Sequence, residues 1–283
     1  MSPNHLHGHA ATGILPRFLL RIRPVHNLLL TTLLNFGLGA LLGVAGGMLG
    51  IGGGLIAIPV LGYLYGMDQH LAQGTALVMI APNVAMGFYR YHQKHRIELR
   101  QVAAGAVCAM ASTYVAARMA AGIDASALHT AFAVFLVVLA LYFGFPSKGR
   151  TAALPAPLSA RPAPAWALPL LGIGSGFMSG IFTVGGGLVV VPALVGLLRM
   201  AQTRAQGVAM ALVAPGALVA LLAYSQGGHV SWSTGLPMAV GGVLTVTWGV
   251  HLAHKMAPAR LRTLFCIVLL GTAGAMLVTG MAR

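Results

Sequence analysis

Apolar positions in this chain run in long stretches, and polar residues are confined to short gaps between them. Apolar stretches of this kind recur along the whole chain and read as membrane helices. Ten such segments can be drawn, five in each half. The first half holds 28–49, 51–66, 72–90, 99–121 and 127–145; the second holds 166–184, 185–198, 205–225, 232–251 and 261–281. Stretches of about 20 apolar residues are long enough to cross the hydrocarbon core of a bilayer as helices. Residues 146–164, rich in Pro, Ala and Ser, read as a polar linker. Residues 1–26 lack the basic start, apolar core and small-residue exit of a cleavable leader and read as a tail. The expected organisation is therefore a tail (1–26), a first membrane unit (27–145), a linker (146–164) and a second membrane unit (165–283).

The two units carry the same glycine-rich block. Gly43 to Asn83 aligns without a gap to Gly176 to Gly216 at an offset of 133, since 185 − 52 = 133 and 192 − 59 = 133, with 17 identities in 41 positions. Among these are Gly52/Gly185, Gly53/Gly186, Gly54/Gly187, Pro59/Pro192, Gln73/Gln206 and Pro82/Pro215. An internal duplication sets the architecture before any single residue is interpreted. The expected fold is an all-α polytopic membrane protein of two homologous repeats, each of about five apolar segments, with helices broken at the GGG motifs.

Composition agrees with that class. The chain is 58% hydrophobic, only 7% charged, and has a mean hydropathy of +0.85; soluble domains carry about 25% charged residues. The net charge of +14 does not point to nucleic acid, because the basic residues fall in inter-segment loops, as the positive-inside rule expects. Counting Lys and Arg compares two topologies. If all ten segments cross with the N-terminus outside, inner loops hold twelve of the 17; if the two glycine-led segments dip in and return, the inner count is eleven. The first arrangement makes the repeats inverted, because an odd number of crossings turns the second copy over; the second makes them parallel. The count favours inversion by a single residue. Cys108 and Cys266, far apart and at non-equivalent positions, read as small buried residues rather than a disulfide or metal pair.

The glycine blocks carry the chemistry. Gly52, Gly53 and Gly54 fall in the middle of an apolar stretch, where clustered glycine opens backbone angles closed to other residues. Pro59 and Pro192 each remove a further amide donor. In lipid, freed N–H groups survive only where protein or a water-filled cavity surrounds them. A short helix starting there presents its first amides and positive dipole end to such a cavity, which suits an anion, and Gly185, Gly186 and Gly187 offer the same from the other half. Gly39, Gly43 and Gly47, four residues apart, read instead as close helix packing. Gln73 and Gln206 are uncharged hydrogen-bonding groups at equivalent positions; each marks either a transport path or a plain inter-helix bond. Asn83 and Thr183 are further candidate donors, and Pro82 and Pro215 are expected to interrupt the helix that follows each block.

The paired G-x-x-x-G-x-x-x-x-GGG-x-x-x-x-P blocks, Gly43 to Pro59 and Gly176 to Pro192, resemble the TauE/SafE family of sulfite exporters and related anion permeases. The resemblance implies movement of small sulfur-containing or organic anions across a bacterial inner membrane, with sulfite as the leading substrate class. One departure is Met48-Leu49-Gly50 against Ile181-Phe182-Thr183, which leaves the second block poorer in glycine. The expected function is a secondary transporter of small anions by alternating access at a midplane site between the repeats. The expected site comprises Gly52, Gly53, Gly54, Gln73, Asn83, Thr183, Gly185, Gly186, Gly187 and Gln206, with Pro59, Pro82, Pro192 and Pro215 as breaks or hinges.

Two alternatives stay open: an anion channel of the same substrate class, and a metal-ion transporter using His5, His7 and His9 of the tail. No internal His, Asp or Glu ligands continue a metal path from that tail. The three acids, Asp68, Glu98 and Asp124, all fall at predicted span ends. An enzyme is not expected, since no nucleophile with a base, and no metal-ligand set, lies mid-span. No cofactor or metal is expected, and the partners are the anion and the bilayer. Arg118 reads as a mouth residue or as one snorkelling to the interface. His129 and His251 are the residues left for proton coupling.

Overall fold

The computed structural model describes residues 17–50, 52–95, 97, 99–144, 166–184, 186–198, 200 and 202–281. Gly185, the linker 146–164 and the His5–His9 stretch of the tail lie outside the described residues. Among those described there are ten α-helices and no strand: α1 (Arg17–Leu49), α2 (Gly54–Tyr65), α3 (Gln69–His95), α4 (Leu99–Ala120), α5 (Ala125–Gly144), α6 (Ala167–Phe182), α7 (Gly187–Leu197), α8 (Gln202–Gln226), α9 (Trp232–Lys255) and α10 (Pro258–Met281). Helix α1 begins nine residues before the expected end of the tail, since 26 − 17 = 9. Five stretches, Leu28–Leu49, Gln69–Gln93, Val102–Ala120, Thr203–Gln226 and Trp232–Lys255, are long and apolar enough to cross a membrane.

Local chemistry sets several boundaries. Asp68 accepts the Leu71 amide at 2.9 Å and caps the start of α3. Asp124 does the same before α5: the Ser126 side chain and the Ser126 and Ala127 amides donate to it, and these bonds hold its carboxyl below the usual carboxylate range. Pro82 and Pro215, the expected helix interruptions, end neither helix. Both lie inside continuous elements, α3 and α8. A proline removes one intrahelical bond, here to the carbonyls of Val78 and Ala211, and surrounding helices can hold the remaining turns in place.

Small residues let the helices approach closely. A β-carbon built on Gly39, Gly43 or Gly47 of α1 would lie 2.1–2.4 Å from backbone oxygens of Met238, Gly242 and Val246 in α9. At the same offset of 133, Gly172, Gly176 and Gly180 of α6 meet α4 in the same manner, against Gly105, Ala109 and Thr113. In both seams residue numbers rise together, so α1 and α9 run parallel, as do α4 and α6. Side chain-free contact of this kind is how helices associate where hydrophobic burial gives no drive.

Helices α3 and α8 form the centre and run antiparallel. Tyr91, near the end of α3, bonds Gln206, near the start of α8; Tyr224, near the end of α8, bonds Gln73, near the start of α3. Helix α9 packs parallel to α3, pairing Thr75 with Ser231 and Asn83 with Gly242. Helix α4 packs parallel to α8, pairing Gly105 with Leu212 and Thr113 with Gly216. Helix α2 starts beside Ile80, halfway along α3, and ends at Tyr65, whose hydroxyl donates to Asn35 of α1. It therefore returns towards the face from which α1 set out, and α3 starts again from that face. Helix α10 lies against α5 and α2. Large apolar side chains such as Leu33, Leu41, Val138, Leu222 and Trp248 point outward, a surface suited to lipid rather than water.

Candidate functional site

The two glycine blocks build two broken-helix hairpins. In the first, α1 ends at Leu49, Gly50, Gly52 and Gly53 take φ of 74°, 70° and 91°, and α2 starts at Gly54. In the second, α6 ends at Phe182, Thr183 takes φ 54°, Gly186 takes φ −54°, and α7 starts at Gly187. Neither short helix has a side-chain cap; the carbonyls of Gly53 and Gly186 accept the first intrahelical bonds. The opening amides of both helices are thus left without an intrahelical partner, and residues 52–54, 186 and 187 are buried. The two hairpins meet: a β-carbon on Gly54 would lie 3.3 Å from the Thr183 carbonyl oxygen. One on Gly50 would lie 2.9 Å from Cγ of Gln206.

Asn83 faces α9 at Gly242 from the middle of α3. It is fully buried, 0% exposed, and neither its Oδ1 nor its Nδ2 has a hydrogen-bond partner. Ser179, one helical turn before Thr183, is also buried with an unpartnered Oγ. The Thr183 hydroxyl donates to the neighbouring Phe182 carbonyl at 2.8 Å. Unpaired buried amides each cost about 1–3 kcal/mol, so a fold that retains one mid-membrane keeps donors and acceptors in reserve.

The structure does not bring the two glutamines together. The Tyr91 hydroxyl donates to Gln206 Oε1 at 2.9 Å, and the Gln206 Nε2 reaches the Met48 carbonyl at 3.5 Å. At the other end, the Tyr224 hydroxyl donates to Gln73 Oε1 at 2.7 Å, while Gln73 Nε2 has no partner. Gln73 and Tyr91 are 18 residues apart on α3 (91 − 73 = 18), about 27 Å of helical rise. Asn83 falls between them, ten residues from Gln73 and eight from Tyr91. The glutamines thus flank the centre, and the glycine breaks with Asn83, Ser179 and Thr183 occupy it. Pro59 and Pro192 lie in the second turn of α2 and α7.

Tyr91, Tyr224 and Ser179 were not singled out by the sequence reading. The tyrosines carried a signal, because 224 − 91 = 133, the offset of the repeat, eight residues past the aligned block. Ser179 carried none, since its counterpart is Gly46. Arg118 is exposed, donates to the Tyr114 hydroxyl at 3.2 Å and lies over that ring.

Helices of this length with a lipid-suited exterior, broken twice around a buried polar centre, define a multi-pass helical membrane transporter. The chain belongs to the TauE/SafE sulfite exporter family, whose sequence pattern matches residues 35–276. It is 26% identical over 248 residues to a probable membrane transporter protein of Xylella fastidiosa (strain Temecula1), covering 85% of this chain and 93% of that one. It is 25% identical over 242 residues to a probable membrane transporter protein of Methanocaldococcus jannaschii, covering 82% and 87% respectively. No solved structure matches the chain.

Proposed function

We propose that this chain is a secondary transporter of small anions, with sulfite and related sulfur oxyanions or organosulfonates as the substrate class, in a bacterial inner membrane. The two halves act as inverted repeats and expose a central site to each side in turn. Inversion is supported by α3 and α8 running antiparallel, because a two-fold axis relating antiparallel helices lies in the membrane plane. The matched seams, α1 on α9 and α6 on α4, support the same axis.

The observation that carries the reading is Asn83: a wholly buried amide with no partner, between two closed ends and within two helical turns of the uncapped α2 start. An anion in hydrocarbon needs its hydration shell replaced by oriented donors. The Asn83 amide, the Ser179 hydroxyl and the opening amides of α2 and α7 are such donors. Among the described residues no carboxylate is buried; Asp68 and Asp124 are exposed in loops. The centre therefore offers a cation no counter-charge. A carrier is favoured over a channel by burial at all three levels, with Gln73 0%, Asn83 0% and Gln206 1% exposed.

The test is a proteoliposome flux panel with sulfite, thiosulfate, sulfonates and small carboxylates, run on wild type and Asn83→Ala. Saturable uptake with counterflow is expected for the sulfur oxyanions, reduced at least about tenfold in the variant, the loss of about 1.4 kcal/mol of transition-state stabilisation. Thermal stability should not fall, because a buried unpaired amide has been removed. Wild-type uptake of every transported anion retained in Asn83→Ala overturns the site assignment. Linear, unsaturated conductance replaces the carrier with a channel.

A further inference from the structure

We propose that the hydrogen bonds Tyr91–Gln206 and Tyr224–Gln73 are the two gates of the transport path, each closing the central site to one face of the membrane. This rests on the transporter reading above.

Four observations carry it. Each bond joins the two halves of the chain, so it must stretch or break if one half moves against the other. The residues occupy matching places in the duplication, since 206 − 73 = 133 and 224 − 91 = 133. A given glutamine therefore bonds the counterpart of the tyrosine on its own helix. The bonds lie at opposite ends of the antiparallel α3–α8 pair, with Asn83 between them. All four side chains are buried, at 0–4% exposure.

The chemistry suits reversible closure. A neutral hydroxyl-to-amide bond is directional and short here, 2.9 and 2.7 Å, but its net strength is modest because water re-pairs both groups once the gate opens. Two bonds of the same chemistry at symmetric positions hold the outward and inward closures at similar free energy, which a carrier cycling between two states requires. Each glutamine also keeps its amide nitrogen away from its tyrosine: Gln73 Nε2 is unpartnered, and Gln206 Nε2 reaches Met48 only at 3.5 Å. Those N–H groups are available to a passing anion, so the same side chain closes the path and hands the substrate through it. The gates differ in their backing. The Tyr91 ring lies tilted against His254, 5.1 Å between ring centres, whereas the Tyr224 carbonyl accepts the His229 amide at 3.0 Å.

Side-resolved labelling tests the proposal. With Cys108 and Cys266 replaced by Ser, Ser179→Cys places a thiol between the gates: Thr113 bonds the Gly176 carbonyl one turn away and packs on Gly216, midway along α8. A membrane-impermeant maleimide is applied to one face of oriented vesicles at a time. Tyr91→Phe should raise the labelling rate about fivefold, the shift of one net hydrogen bond, only from the face holding the end of α3. Tyr224→Phe should do so only from the opposite face. Gln206→Leu and Gln73→Leu should reproduce the same two sides and guard against one variant failing to fold. Equal increases from both faces, or no increase from any of the four variants, overturns the gates. Side-selective labelling in the Ser179→Cys background, with the wild-type protein moving no anion of the flux panel, upholds the gates and removes the anion reading. Normal wild-type anion flux with unchanged labelling does the reverse.

Discussion

The two glycine blocks reach the same hairpin by different residues. The first turns through three glycines at positive φ, Gly50, Gly52 and Gly53. The second turns through Thr183, the one non-glycine residue at positive φ among those described, and Gly186 takes φ −54° and ψ 0°. Gly50 and Thr183 are counterparts at the offset of 133, and each receives the same closing bond: Gly50 N to Gly46 O and Thr183 N to Ser179 O, both at 2.9 Å. The left-handed residue that ends the long helix is therefore a requirement of the architecture, and glycine is one way of meeting it. The second half accepts backbone strain at Thr183 and in return gains a buried side-chain hydroxyl at the turn, where the Thr183 carbonyl faces Gly54 of the first block. Asn83 shows the same division in the other direction, because its counterpart is Gly216. Positions 133 residues apart thus share a backbone role while their polar groups differ.

The comparison can be broken most severely at Gly53. Its φ of 91° is closed to a β-carbon, and one built there would lie 2.7 Å from the Leu42 carbonyl oxygen. Gly53→Ala should cost about 3 kcal/mol, from left-handed strain and overpacking together, seen as a large fall in the thermal midpoint of the detergent-purified protein. Giving Gly50 its counterpart's side chain is the next test. Gly50→Thr adds strain at φ 74° and presses a β-carbon within 2.9 Å of Gln206 Cγ, so a loss of about 2 kcal/mol is expected. Faster thiol labelling from the Tyr91 face should accompany it. A Gly50→Thr protein as stable as wild type would show that the first hairpin does not need glycine there. The smallest effect belongs to the reciprocal change. Thr183→Gly relieves about 1–2 kcal/mol of left-handed strain but adds about 0.5–1 kcal/mol of chain entropy lost on folding. The same thermal assay should therefore show a slight gain in stability. A clear loss would mean that the Thr183 side chain holds the second hairpin together.

Much of this was legible in the sequence, for physical reasons. Lipid demands long apolar helices, so the ten segments could be drawn from hydropathy. Gly39, Gly43 and Gly47 announced a close seam because only small residues at that spacing let two backbones touch. The breaks at Gly52–Gly54 and Gly186–Gly187 were readable because clustered glycine in an apolar run has few other uses. Pro82 and Pro215 marked a missing amide, a local fact, whereas α3 and α8 continue through them because neighbouring helices hold the remaining turns. The gap between Gln73 and Gln206 was also hidden. Equivalent positions in a duplicated chain converge or diverge according to the direction in which the copies face, and no single position records that direction.

The sequence by itself determined the class of molecule, the apolar helices and the glycine-rich places where they end, because solvent and backbone stereochemistry act on each residue locally. Only the tertiary structure decided which residues meet. It set α3 antiparallel to α8 and so crossed each glutamine with the opposite half's tyrosine. It also left Asn83 alone at the centre, because contacts more than a hundred residues apart depend on how whole helices pack.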